Sequence, residues 1–217
     1  MDDVMMKEGV MGVDAILLDL GWSLDQFETG GRGLSFKKDE PLRMTLKKEI
    51  SDTEFSAYDI LNTWQEEDIA NIIYGYGEER FARRIAREIV ERREASTIKT
   101  TTDLVDIIMS AVPSFYKHGR IHPATKTFQA LRIAVNDELG NLREVLHKGF
   151  GLLKPGGRFS IITFHSLEDR IVKNFFREKS AEGAAELLTK KPITASDEEL
   201  SENKRSRSAK LRVIRKI

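Results

Sequence analysis

The sequence predicts an α/β fold interrupted by a block of helices. Three observations carry this. Val13 to Leu20, VDAILLDL, is an apolar run closed by Asp19 and then Gly21, the pattern of a buried parallel strand with a carboxylate at its end. A second apolar run, Phe159, Ile161, Ile162 and Phe164, follows Pro155-Gly156-Gly157 and passes into helical spacing at Ile171, Val172, Phe175 and Phe176. Between the two, roughly from Ser51 to Pro123, helical periodicity dominates. Helices inserted between two neighbouring strands of one sheet make two domains. The expected segments are 1–50 and 124–217 for the sheet domain and 51–123 for the helical insertion.

After the first strand, Gly21 to Asp52 reads as a long loop containing Gly30-Gly31-Arg32-Gly33 and Pro41. Loops of this length in compact domains are usually functional. The spacing of the glycines is neither a Walker loop nor a dinucleotide fingerprint. Ser56-x-x-Asp59 predicts a capped helix start, and a helix from Glu66 to Ile73 ends at Gly75 or Gly77. Glu78 to Glu94 is amphipathic, with Phe81, Ile85 and Ile89 four apart. Its six arginines stand with five glutamates, which favours a solvated, ion-paired face over an RNA face. Thr100-x-x-Asp103 caps a further helix that Pro113 ends.

His118 and His122 are four apart, but Gly119 and Pro123 break a helix there and no carboxylate accompanies them. No metal site is expected. Pro123 suits the first turn of the next helix. Phe128, Leu131, Val135, Leu139, Leu142 and Leu146 then form one continuous core stripe. After the second strand, Ser166-x-x-Asp169 fits a capping box with Ser166 at N-cap, and His165 is left over as the residue a cap does not need. Ala209 to Ile217 alternates as a strand, expected to be antiparallel and at or near an edge, with Leu211 and Val213 on one face.

Ligands of open α/β sheets collect at the carboxyl ends of strands. The polar corner Thr163, His165, Ser166, Glu168 and Asp169 lies at such an end, as does Asp19. A hydrolase built on His165 and Ser166 would need a G-x-S-x-G elbow, which is absent.

Composition narrows the class. The 217 residues are 40% hydrophobic and 32% charged, with 35 basic and 35 acidic side chains, so net charge identifies no partner. There is no cysteine, hence no disulfide, thiolate metal site or thiol nucleophile. No apolar run reaches transmembrane length and the N-terminus lacks secretory-signal features, so a cytoplasmic protein without a membrane partner is expected. Charge is uneven, however. From Asn203 to Ile217 there are seven basic residues and no acid, a segment suited to phosphate.

Four segments resemble one family. They are Tyr76-Gly77-Glu78-Glu79, the run from His122 to Ile133 (HPATKTFQALRI), Phe164 to Arg170 (FHSLEDR), and Arg205 to Val213 (RSRSAKLRV). Together they are similar to the ribosomal RNA small subunit methyltransferase H family, from about Val13 to the C-terminus. The resemblance implies a Rossmann-like class I methyltransferase sheet with an inserted all-helical domain. Val13 to Asp19 would be the fourth strand and Phe159 to Phe164 the fifth. It implies transfer of a methyl group from S-adenosyl-L-methionine to the exocyclic N4 of a cytidine in small-subunit ribosomal RNA.

Asp19 and Gln26 match the family's donor contacts, and Arg32-Gly33-Leu34-Ser35-Phe36 matches a family loop. Departures are Trp22-Ser23-Leu24, Arg43 and Thr45. The family's first three strands would precede Val13, where this sequence has twelve residues. The expectation is therefore a C-terminal portion of such an enzyme or a shortened member. A non-catalytic rRNA-binding remnant is the alternative.

The cytosine amine is a poor nucleophile, because its lone pair is delocalised. An acceptor aimed at its N–H, Asp19 or Ser23, would restore some of that lone pair. His165 and Asp169 would hold the base or accept the proton late. Arg32, Arg205, Arg207, Lys210 and Arg212 are the expected RNA contacts. The partner is small-subunit rRNA or the assembled small subunit, with a homodimer as an open expectation.

Overall fold

The structure, a computed structural model, describes residues 5, 7–21, 30–47 and 54–217. The chain divides into two compact units. One is discontinuous, Met1–Trp22 with Leu139–Ile217; the other is Ser23–Glu138. The division falls at 22/23 and 138/139, whereas the sequence expectation put it at 50/51 and 123/124. Residues 30–47 of the loop after the first strand and the helix after Pro123 both pack within the helical unit.

In the sheet unit, β1 (Val13–Asp19) runs parallel to β2 (Leu153–Thr163). The last strand, β5 (Lys210–Lys216), lies antiparallel on the other side of β2, and β3 (Ala185–Leu187) and β4 (Ile193–Thr194) pair with β5. The order β1-β2-β5-β3 makes β1 one edge of this sheet, and Leu17 on it is 64% exposed. The segment Lys154–Gly157, read from sequence as preceding the second strand, is an irregularity within β2, where the register shifts between Val13 and Ala15 and Gly156 takes φ +81°.

Helix α7 (Glu138–Leu152) precedes β2 and α8 (Ser166–Ala181) follows it. Leu142, Leu146 and Phe150 of α7, Phe159 and Ile161 of β2, and Val172, Phe175 and Phe176 of α8 close one core with Ile16 and Ile214. Gly149 permits this seating, because a Cβ there would lie 2.8 Å from the Phe159 ring. On β5 the buried side chains are Arg212 and Ile214, the face opposite to the one that the alternation of Leu211 and Val213 suggests.

The helical unit contains α1 (Ala57–Thr63), α2 (Glu66–Gly77), α3 (Ala82–Ala95), α4 (Thr101–Ala111), α5 (Ser114–Lys117) and α6 (Ala124–Asn136). Both expected capping boxes form. Asp59 accepts from the Ser56 N–H at 2.8 Å and Asp103 from the Thr100 N–H at 2.9 Å. Helix α3 starts at Ala82 rather than Glu78, since Glu78 adopts φ +49° as the left-handed end of α2.

The stripe from Phe128 to Leu146 is two helices, not one. Asp137 takes φ +46° and stops α6 before α7 begins. The loop 30–47 is anchored to this unit by polar contacts. Asn136 Nδ2 donates to the Met44 carbonyl and its Oδ1 accepts from the Leu46 N–H, both at 2.8 Å. Gly33, at φ +67°, brings its backbone so close to the Pro41 carbonyl that a Cβ would lie 2.4 Å from the oxygen. Leu42 and Met44 enter the core with Ile60, Ile73, Ile85, Ile89, Leu104 and Leu131.

Candidate active site

The carboxyl ends of β1 and β2 lie side by side, with Asp19 in register with Ile162. The Gly21 N–H donates to Asp19 Oδ1 at 2.7 Å, while the side chain as a whole stays exposed. A Cβ on Gly21 would lie 2.8 Å from that oxygen and 2.8 Å from the Phe164 ring. Asp19 and Phe164 thus close on the side of Gly21 that a side chain would occupy.

Beyond β2 the chain enters α8 through a capping box one residue earlier than Ser166-x-x-Asp169 suggests. His165 is the N-cap and Glu168 the N3 residue. The Glu168 N–H donates to His165 Nδ1 at 3.4 Å. Glu168 Oε2 accepts from the Phe164 N–H at 2.8 Å and the His165 N–H at 3.2 Å. Both backbone donors at this corner are thereby satisfied by one nearly buried carboxylate, which also complements the helix N-terminus. With Nδ1 used as an acceptor, the proton of a neutral ring sits on Nε2. That atom is buried. It lies 3.1 Å from Glu168 Oε1, but off the hydrogen-bonding direction, so it is close to a carboxylate without donating to it.

Asp169 has a different environment. Arg212 Nε donates to Asp169 Oδ1 at 2.7 Å and its NH2 group to Oδ2 at 3.2 Å, and Lys210 Nζ lies 3.5 Å from Oδ2. Burial pushes the carboxyl up. The Arg212 hydrogen bonds and the Arg212 and Lys210 charges outweigh it, and they hold Asp169 below the ordinary carboxylate value. Asp169 is thus an anion committed to two cations.

The sequence-predicted residues separate accordingly. Asp19, His165, Asp169, Lys210 and Arg212 all belong to the sheet unit, at or beside the strand ends. Ser23 and Gln26, with Trp22 and Leu24, lie outside the described residues. Arg32 belongs to the helical unit, where its carbonyl accepts from the Met44 N–H at 2.6 Å. Arg212 is only 7% exposed, its guanidinium taken up by Asp169, so the expectation of an RNA contact does not suit its position.

The basic C-terminal segment divides in the same way. Arg215 pairs with Glu186, and Lys216 Nζ donates to the carbonyls of Phe150, Gly151 and Leu153, three oxygens around the end of α7. Lys204, Arg205 and Arg207 remain exposed on the 3-10 turn Lys204–Ser208. Because Lys210 is in register with Thr163, β5 delivers this turn to the carboxyl end of β2.

In the sequence Glu168 stands only as one member of the polar corner, and Gly21 and Phe164 only as strand-end residues. The signal for Glu168 was its place three residues after His165, the same spacing as in the Ser166-to-Asp169 pattern.

A parallel strand pair ending in an exposed carboxylate, a capping histidine and a basic turn defines an α/β protein with a candidate site at its strand ends. The chain belongs to the MraW methylase family, whose sequence model matches residues 1–217. It is similar to the ribosomal RNA small subunit methyltransferase H of Treponema denticola, 52% identical over 217 residues, covering 93% of this chain and 68% of that one. It is likewise similar to that of a Synechocystis species, 53% identical over 204 residues, covering 94% and 64%. With that of Brevibacillus brevis the identity is 45% over 230 residues, covering 99% and 72%. The chain spans about two thirds of the length of these curated relatives. No helix among the described residues is long and apolar enough to cross a membrane.

Proposed function

We propose that this protein transfers a methyl group from S-adenosyl-L-methionine to the exocyclic N4 of a cytidine in small-subunit ribosomal RNA. The observation that carries the reading is the corner itself. An exposed carboxylate ends β1, and a buried-Nε2 histidine caps the helix after β2, in a chain of the methylase family. The residues suit such a donor. Asp19 offers an exposed carboxylate toward a cationic ligand.

The donor supplies an electrophilic methyl on a sulfonium. What the protein adds is position and electrostatics. Asp19 holds the donor, with Gln26 assigned to the same task. Asp19 or Ser23 accepts a hydrogen bond from the cytosine amine, raising its lone-pair density. His165, with Nδ1 committed to the cap and Nε2 buried, stands at the mouth of α8 to orient the base, and the amine proton leaves to Asp19 or to solvent after the methyl has moved. Asp169, saturated by Arg212 and Lys210, positions β5 against α8 instead of exchanging a proton.

Arg205 and Arg207, with Lys204 and the part-exposed Lys210, face phosphates at the same end of the sheet. The target base has to be unstacked to reach this corner. The reading is tested by incubating the protein with tritiated S-adenosylmethionine and small subunits lacking the modification. Label in the rRNA is expected, and none in the RNA contradicts the reading.

A further inference from the structure

The N-terminal end of α3 gathers arginines and aromatic rings. A cleft of about 370 Å³ opens there, lined by Ala70, Asn71 and Tyr74 from α2 and by Arg80, Phe81, Arg83 and Arg84. That is within the range of roughly 300–1,000 Å³ that accepts a small ligand group. Tyr74 is 69% exposed and Phe115 is 67% exposed, so two large rings stand in water.

The Arg80 guanidinium lies 4.8 Å from the centre of the Phe81 ring, 4.9 Å from Tyr116 and 5.5 Å from Phe115. Arg84 lies 5.9 Å from Phe81. The platform has a rigid base. The buried carboxylate of Glu79 accepts from the Phe81 N–H at 2.9 Å and from the Tyr116 hydroxyl at 2.6 Å.

Its arginines make no direct ion pair with a carboxylate of the described residues. The face expected from sequence to be ion-paired is so only further along, at Arg87–Glu66 and Arg92–Glu88. Arg80, Arg83 and Arg84 are exposed, and no carboxylate among the described residues is within ion-pair distance of them. The first turn of α3 contains no acid. A helix N-terminus already carries partial positive charge, so guanidiniums gathered there repel it and one another. A polyanion with flat groups removes both liabilities: phosphates answer the arginines, and splayed bases stack on the rings.

We propose that Tyr74, Arg80, Phe81, Arg83, Arg84 and Phe115 form a platform for single-stranded RNA on the helical unit, separate in sequence from the strand-end corner. The choice of RNA as occupant rests on the proposed function. An acidic protein partner would also bury the rings; guanidiniums gathered at one helix N-terminus beside stacking rings favour the phosphate-bearing occupant.

The test is fluorescence anisotropy of a labelled single-stranded RNA oligonucleotide of mixed sequence, titrated with the full chain at several salt concentrations. Arg83→Gln/Arg84→Gln is expected to lower the slope of log Kd against log salt by about 1.4, two phosphates at about 0.7 each. Tyr74→Ala is expected to weaken binding by about 5- to 100-fold and Tyr74→Phe to restore it. Thermal melts verify that these surface variants fold.

Unchanged affinity and slope in the folded arginine and Tyr74→Ala variants overturn the platform. So does capture of a protein by this face without salt-dependent RNA binding. Methyl transfer is read separately. A transferring wild type whose variants bind RNA unchanged refutes the platform alone. Weakened RNA binding by variants of a protein that transfers no methyl group upholds the platform and refutes the function.

Discussion

Arg212 and Asp169 form a bidentate ion pair that joins β5 to the first turn of α8 across 43 residues of chain. Both side chains are largely buried. Removing one partner leaves the other charge uncompensated in a low-dielectric site. Arg212→Leu is therefore expected to cost about 3 kcal/mol in urea unfolding.

The pair also sets an acid dependence. The Asp169 pKa is depressed in the folded state from its ordinary 3.8. Its contribution to stability is complete above that value and is lost as pH falls through the lower folded pKa. Unfolding curves below pH 3.8 are expected to be flatter for Asp169→Asn than for the wild type.

His165 has two separable duties, capping α8 and serving the corner. Asparagine is a strong N-cap. His165→Asn is thus expected to hold stability within about 0.5 kcal/mol of wild type, while kcat for methyl transfer falls by about 100-fold. A parallel loss of stability and rate would reduce His165 to a structural cap. Chemical denaturation and single-turnover kinetics, run on one preparation, distinguish the two.

At the end of β1, Gly21→Ala would place a methyl group against Asp19 and Phe164. Displacing either by a fraction of an ångström misaligns the corner. Calorimetric titration with S-adenosylmethionine is expected to show at least about a tenfold loss of affinity. Asp19→Ala is expected to do the same, and unchanged donor affinity in Asp19→Ala would remove its assigned role.

Tyr116 donates to the buried Glu79, and burial together with that carboxylate pushes the phenol up to about 12. The raised value favours the neutral phenol in the folded state. The contribution is complete below the ordinary value of 10.0 and is lost as pH rises toward about 12. Alkaline unfolding between these values is expected to be steeper for the wild type than for Tyr116→Phe.

Much of this architecture is legible in one-dimensional patterns. The VDAILLDL run, the two capping boxes at Ser56 and Thr100 and the stripe from Phe128 all report local periodicity, which burial then enforces. What periodicity does not reveal is backbone conformation at single residues. Asp137 enters the left-handed region and splits one apolar stripe into two helices.

Capping register was ambiguous because Ser166–Asp169 and His165–Glu168 are overlapping patterns. The decision lies with Glu168, which satisfies two backbone donors at once. Tertiary pairs are less legible still. Arg212 reads as one more cation in a basic tail, and only the sheet brings it to Asp169. Likewise the rings of Phe115 and Tyr116 meet Arg80 only after α3 and α5 have packed.

Methyl transfer to the cytosine amine is decided by the position of the methyl group in the product. Small-subunit rRNA lacking the modification is incubated with the protein and S-adenosylmethionine carrying an isotope-labelled methyl group, digested to nucleosides and analysed by mass spectrometry against synthetic standards. A labelled methylcytidine that co-elutes with the N4-methyl standard is expected. Methylation at C5 of the base or at the ribose, or no methylated nucleoside at all, would contradict it.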